Sequence, residues 1–100
     1  MHLTPDDLAF VRKALAFWAP GVPAFAFGSR VHGRNLKTHS DLDICLRDAA
    51  PVPLPVIDRL RDAFSLSDLP MRVDLIDWHD LTDDFRAAIE QDLTPLVLAE

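Results

Sequence analysis

Two aspartates one residue apart, Asp41 and Asp43, open the apolar run Leu42-Asp43-Ile44-Cys45-Leu46, and they constrain the chain more than any other feature. On an extended strand such a pair lies about 6.6 Å apart along the backbone, on one face. Their repulsion is about 2.5 kcal/mol at an effective dielectric of ~20, a cost that a divalent cation reverses in sign. Hard carboxylate oxygens suit Mg²⁺ or Mn²⁺, which retain several waters and complete their shells with substrate phosphates. Taken alone, the pair is more often a solvated strand edge.

Two further features bear on that choice. Upstream, the apolar run Ala24-Phe25-Ala26-Phe27 stops at Gly28-Ser29, and a turn after a buried strand offers backbone N–H groups and a hydroxyl to phosphate oxygens. A plain strand-ending turn has the same composition. Downstream, Asp74 interrupts Val73-Asp74-Leu75-Ile76, where an unpaired carboxylate would be costly and a metal-bound one would not. Three carboxylates from two neighbouring strands, facing a phosphate-cradling turn, form a ligand set for two-metal phosphoryl or nucleotidyl transfer.

Around these features the chain reads as an alternation of helices and strands. Thr4-Pro5 with Asp6 and Asp7 predicts a helix start, and Leu8, Val11, Leu15 and Trp18 predict a helix over 5–18, its stripe widened by Phe10, Ala14 and Phe17. Pro20-Gly21 ends it, and a strand is predicted over 22–27. Residues 30–40 lack a clean period and read as a short helical turn plus an exposed loop. A second strand spans 41–47, with Asp41, Asp43 and Cys45 on one face. After a proline-punctuated connection, Ile57, Leu60 and Phe64 mark a helix over 55–65. A third strand covers 72–76, followed by a turn at Asp77-Trp78-His79-Asp80. Thr82-Asp83-Asp84 starts a helix that buries Phe85, Ala88 and Ile89 and ends near Asp92. Leu96-Val97-Leu98 is a short edge strand or a docking tail. The expected architecture is α/β (α+β), one small mixed sheet flanked by helices, in a single domain over 1–100.

Composition excludes several functions. The net charge of −6, with 10 basic against 16 acidic residues, disfavours bulk nucleic-acid binding. No apolar run approaches the ~18 residues of a membrane span, and the N-terminus has no basic region followed by an apolar one. The single Cys45 in an apolar segment reads as a buried thiol and fits a cytoplasmic protein. His32, His39 and His79 have no Cys or His partner at zinc-finger spacing and read as loop residues. Asp77, at a strand end, reads as a turn residue in preference to a substitute for Asp74. Trp18 and Trp78 read as core-edge residues or part of a partner surface.

Gly28-Ser29, eleven residues, Asp41-Leu42-Asp43 and a later strand carrying Asp74 together resemble the G-S…D-x-D…D signature of the DNA polymerase β-like nucleotidyltransferase superfamily. The small size is similar to its minimal nucleotidyltransferase branch, the MntA-like antitoxins of HEPN/MNT toxin–antitoxin pairs. The resemblance implies that Asp41, Asp43 and Asp74 hold two Mg²⁺ (or Mn²⁺) ions, with Asp74 also helping to deprotonate the attacking hydroxyl. It implies that Gly28 and Ser29 hold the β- and γ-phosphates of ATP; Arg30, close to that turn, either neutralises phosphate charge or is an exposed arginine of a polar loop. The implied acceptor is a tyrosine of a partner HEPN-domain toxin, which would be AMPylated with loss of pyrophosphate. Two alternatives stand beside it: transfer to a small hydroxyl compound of aminoglycoside type, and a non-catalytic antitoxin that acts by binding alone.

Overall fold

The computed structural model describes residues 1–34, 36–37 and 40–98. The helix α1, Pro5–Trp18, begins where Thr4 accepts a hydrogen bond from the Asp7 amide, with proline in its first turn and Asp6 and Asp7 near the positive end of its dipole. The strand β1, Ala24–Phe27, leads through Gly28 into a single helical turn, α2, Ser29–His32. Then follow β2, Leu42–Leu46, α3, Leu54–Ser65, and β3, Val73–Asp77, with a 3₁₀ turn over Trp78–Asp80. The last elements are α4, Asp83–Glu90, and β4, Thr94–Val97.

The four strands form one sheet in the order β3-β2-β1-β4. β2 is antiparallel to β1 and parallel to β3, and β4 is antiparallel to β1. The parallel pair requires a crossover, which α3 supplies. The C-terminal segment is therefore an edge strand, with a register shift opposite Ala24 and Phe25 that fits the proline at position 95 into the ladder's margin.

The register assigns every strand residue to a face. Leu42, Ile44 and Leu46 join Ala24, Ala26, Leu75 and Leu96 against Val11 and Leu15 of α1 and Ile57, Leu60 and Phe64 of α3, forming the principal core. The opposite face carries Phe27, Cys45 and Ile76, partly covered by Ile89 of α4. Cys45 is fully buried there, as expected, and burial pushes its thiol up to about 11.

Two helix stripes are narrower than the spacing predicts. Phe17 is 72% exposed and stacks edge-on against Trp18 at 4.8 Å, and Phe10 leans on Phe64 at the rim of the core. In α4 only Ile89 is buried, whereas Phe85 and Ala88 are exposed. A helix that covers only half of a sheet face buries a narrower arc than one seated over its centre.

Candidate active site

The sheet is laid out so that one of its ends gathers the polar residues. β1 finishes where β2 begins, and β3 runs beside β2 in the same direction, so Gly28, Asp43 and Asp74 are brought to one end. Within the ladder Asp43 is the Cα partner of Phe27 on one side and of Asp74 on the other. Directly opposed residues share a face, so the Asp43 and Asp74 carboxylates emerge together, on the face away from the principal core. Asp41, two residues before Asp43, points the same way.

The carboxylates feel one another. Asp43 has its pKa raised to about 6, first by burial, then by the negative charge of Asp74 and then by that of Asp41. The Asp74 carboxylate instead turns to Arg72, whose guanidinium lies 3.3 Å away. No three His, Cys, Asp or Glu side chains among the described residues are drawn together tightly enough to hold an ion as they stand. The donor set nevertheless fits a hard divalent cation, because a carboxylate that repels two others while half-desolvated is the group such a cation stabilises most.

Gly28 seals the other side of this ridge. Its φ of +82° belongs to the left-handed region, and a Cβ built on it would lie 2.5 Å from Oδ2 of Asp43. Only glycine lets the backbone turn there while the Asp43 carboxylate presses against it. The chain then enters α2, where the Ser29 amide, as the first of a helical turn, has no acceptor within its own helix. Ser29 is half-buried beside it.

Arg30 occupies a different place from the phosphate-facing one that its position in the sequence suggests. It is 8% exposed, and its Nε donates to the Ser40 carbonyl and its Nη1 to the His2 carbonyl, both at 2.8 Å. The His2 amide returns a bond to the Arg30 carbonyl. The guanidinium thus ties the N-terminal segment and the residue just before Asp41 to the turn that follows Gly28. Nothing in the sequence distinguishes this buried brace from an exposed loop arginine.

The other polar candidates lie elsewhere. Asp77 is three residues beyond Asp74 and so faces the opposite side of the sheet. It is 3% exposed and accepts hydrogen bonds from the Val52 amide at 2.7 Å and the His79 amide at 2.9 Å; the sequence suggests a turn residue, and the structure makes it the last residue of β3 and the cap of the 3₁₀ turn that follows. His32 accepts from the Arg34 amide, and His79 meets the Asp48 carbonyl at 2.7 Å. His39 lies outside the described residues. Trp78 sits beneath the guanidinium of Arg47, 3.9 Å from its ring centre. No helix among the described residues is long and apolar enough to cross a membrane.

No family model matches the chain. A relative in Haemophilus influenzae, named "Probable protein adenylyltransferase MntA", is 42% identical over 91 residues, covering 91% of this chain and 79% of its own length. Two solved structures share the fold. One is a toxin–antitoxin complex with AMP-PNP, at a TM-score of 0.73 and 21% identity over 94% of this chain and 75% of that one. The other is a mutant MntA–HpeT toxin–antitoxin complex, at 0.70 and 18% over 98% and 75%.

A small mixed sheet that brings a Gly-Ser turn and paired aspartates to one end defines a nucleotidyltransferase. At this level of identity and coverage to the Haemophilus influenzae relative, the chain belongs to the MntA family of protein adenylyltransferases.

Proposed function

We propose that this chain transfers AMP from ATP to a tyrosine hydroxyl of a partner HEPN-domain toxin and silences it. The observation that carries the reading is the ladder register, which sets Asp43 between the Phe27-Gly28-Ser29 turn and Asp74. That register supports a reading in which the turn cradles the phosphates beside the carboxylate set.

In this reading Asp41, Asp43 and Asp74 hold Mg²⁺, which when bound supplies charge neutralisation at the phosphates and acidifies the attacking hydroxyl. The Ser29 hydroxyl and the amides of the turn bind the phosphate oxygens, and Gly28 keeps the backbone close enough for Asp43 to share that space. Asp74 is 44% exposed at the rim, where it receives the proton of the incoming tyrosine. The tyrosyl oxygen attacks the α-phosphorus, the bond to the bridging oxygen breaks, and pyrophosphate leaves. Arg30 acts from behind, as the brace that holds the turn and the approach to Asp41 in register.

None of the 100 residues is tyrosine, so any tyrosyl adduct formed in the reaction belongs to the partner. The test is the intact mass of the toxin after incubation with this chain, ATP and Mg²⁺. A gain of one or more adenylate units, lost with Asp41→Asn and Asp43→Asn, is the expected result. Neutralisation of the toxin without any adduct, and unchanged in those variants, would instead establish inhibition by binding alone.

A further inference from the structure

One aromatic ring beside the carboxylates is left unused by the core. Phe85, in the first turn of α4, is 43% exposed, although its spacing from Ile89 would place it on the buried face of a fully seated helix. Its ring meets that of Phe27 edge-to-face, with centroids 6.3 Å apart and planes at 90°. Phe27 is the Cα partner of Asp43 and directly precedes Gly28. Phe27 and Asp43 share a face of the sheet, so the ring against which Phe85 rests lies on the carboxylate face, on the side of Asp43 away from Asp74.

We propose that Phe85 is the platform on which the base of the bound nucleotide stacks, an inference that rests on the nucleotidyl-transfer reading above. A nucleotide whose phosphates lie on Gly28-Ser29 has its base within a short reach of the residues flanking that turn. Phe27 is 8% exposed and offers little area, whereas Phe85 projects beyond it with its position fixed by the edge contact. A phenyl face is complementary to a neutral planar heterocycle, and stacking is insensitive to the hydrogen-bonding pattern of the base. The platform therefore favours purine over pyrimidine nucleotides by area and separates ATP from GTP weakly.

The test is calorimetric binding of a non-hydrolysable ATP analogue and of inorganic tripolyphosphate, each with Mg²⁺, to the wild type and to Phe85→Ala, Phe85→Leu and Phe85→Trp. F85A is expected to weaken the ATP analogue about tenfold while leaving tripolyphosphate unchanged. F85W restores the affinity and F85L does not. Equal analogue binding by F85A and wild type overturns the platform, as does full restoration by F85L, which would make the residue an apolar cover. Loss of both ligands in all three variants assigns Phe85 to the fold and also overturns it. A wild type that binds neither ligand removes the nucleotide reading itself, an outcome distinct from failure of the platform alone.

Discussion

The backbone of Gly28 and the carboxylate of Asp43 approach so closely that a Cβ on residue 28 would stand 2.5 Å from Oδ2 of Asp43. Gly21 has a comparable φ, +78°, but nothing lies within 4 Å of the Cβ it lacks. The two glycines therefore separate the conformational cost from the steric one. Gly21→Ala is expected to lose about 1 kcal/mol from the positive φ alone and to keep full adenylylation. Gly28→Ala adds its own backbone strain, at a φ of +82° and ψ of −159° open essentially to glycine alone, and also displaces the Asp43 carboxylate, so its rate should fall by at least about 100-fold. Urea melts and initial rates on both variants check this, and a G28A protein with near-normal rate would show that the close approach is dispensable.

The crowding of Asp43 predicts an unusual pH dependence. Its folded pKa of about 6 stands above its ordinary 3.8, so the folded state binds this proton more tightly than the unfolded chain does. The stabilisation from that proton is fully present below pH 3.8 and is lost as pH rises through about 6. Asp43→Asn keeps a neutral group at every pH. In the absence of divalent ions D43N should melt several degrees above wild type at pH 8 and close to it at pH 4, while its adenylylation is abolished. Added Mg²⁺ should raise the wild-type melting temperature at pH 8 and leave that of D43N nearly unmoved. Scanning calorimetry in EDTA and in Mg²⁺ resolves all of these.

Asp77 and Asp74 share a strand and have opposite duties. Asp77 satisfies two main-chain amides, one of them on the buried Val52, so Asp77→Ala leaves both donors without a partner and should cost about 2–4 kcal/mol. Per folded molecule its adenylylation rate should equal that of wild type. Asp74→Ala should do the reverse, removing activity with little loss of stability, because its carboxylate is exposed and paired only with an exposed arginine. Chemical denaturation combined with rates normalised to the folded fraction distinguishes the two.

Periodicity made the sheet legible, and with it the shared face of Asp43 and Asp74, but it did so unevenly. The alternation Asp41, Asp43, Cys45 against Leu42, Ile44, Leu46 assigned β2 correctly to two faces, because a one-residue error would have buried charges in the principal core. Thr4-Pro5 and Thr82-Asp83 marked two helix starts, because a side-chain cap is a local device that needs no partner from elsewhere in the chain. The exposure of Phe17, Phe85 and Arg30 differs from what their spacing suggests, for one reason. Whether an apolar residue on a helix flank is covered, or an arginine beside a turn is turned inward, depends on what the tertiary fold places opposite. No spacing within the sequence encodes that neighbour.

Arg30 supplies the last and sharpest of these contrasts. One nitrogen reaches the carbonyl before Asp41 and another the carbonyl of His2, in two directions that only a planar guanidinium spans. A lysine ends in a single nitrogen and lacks the spaced donors that reach these two carbonyls, so Arg30→Lys should lose about 1–3 kcal/mol of stability, the worth of a charged hydrogen bond. If Arg30 braces the turn without touching phosphate, the salt dependence of ATP binding should be the same in R30K and wild type, because no charge facing the ligand has been removed. The neutral Arg30→Met keeps the buried stem and drops the bonds to the Ser40 and His2 carbonyls, so it should be less stable than R30K, and its remaining folded fraction should again show the wild-type salt slope. A shallower slope in R30M than in R30K would place the charge of Arg30 on the nucleotide and return it to direct phosphate binding.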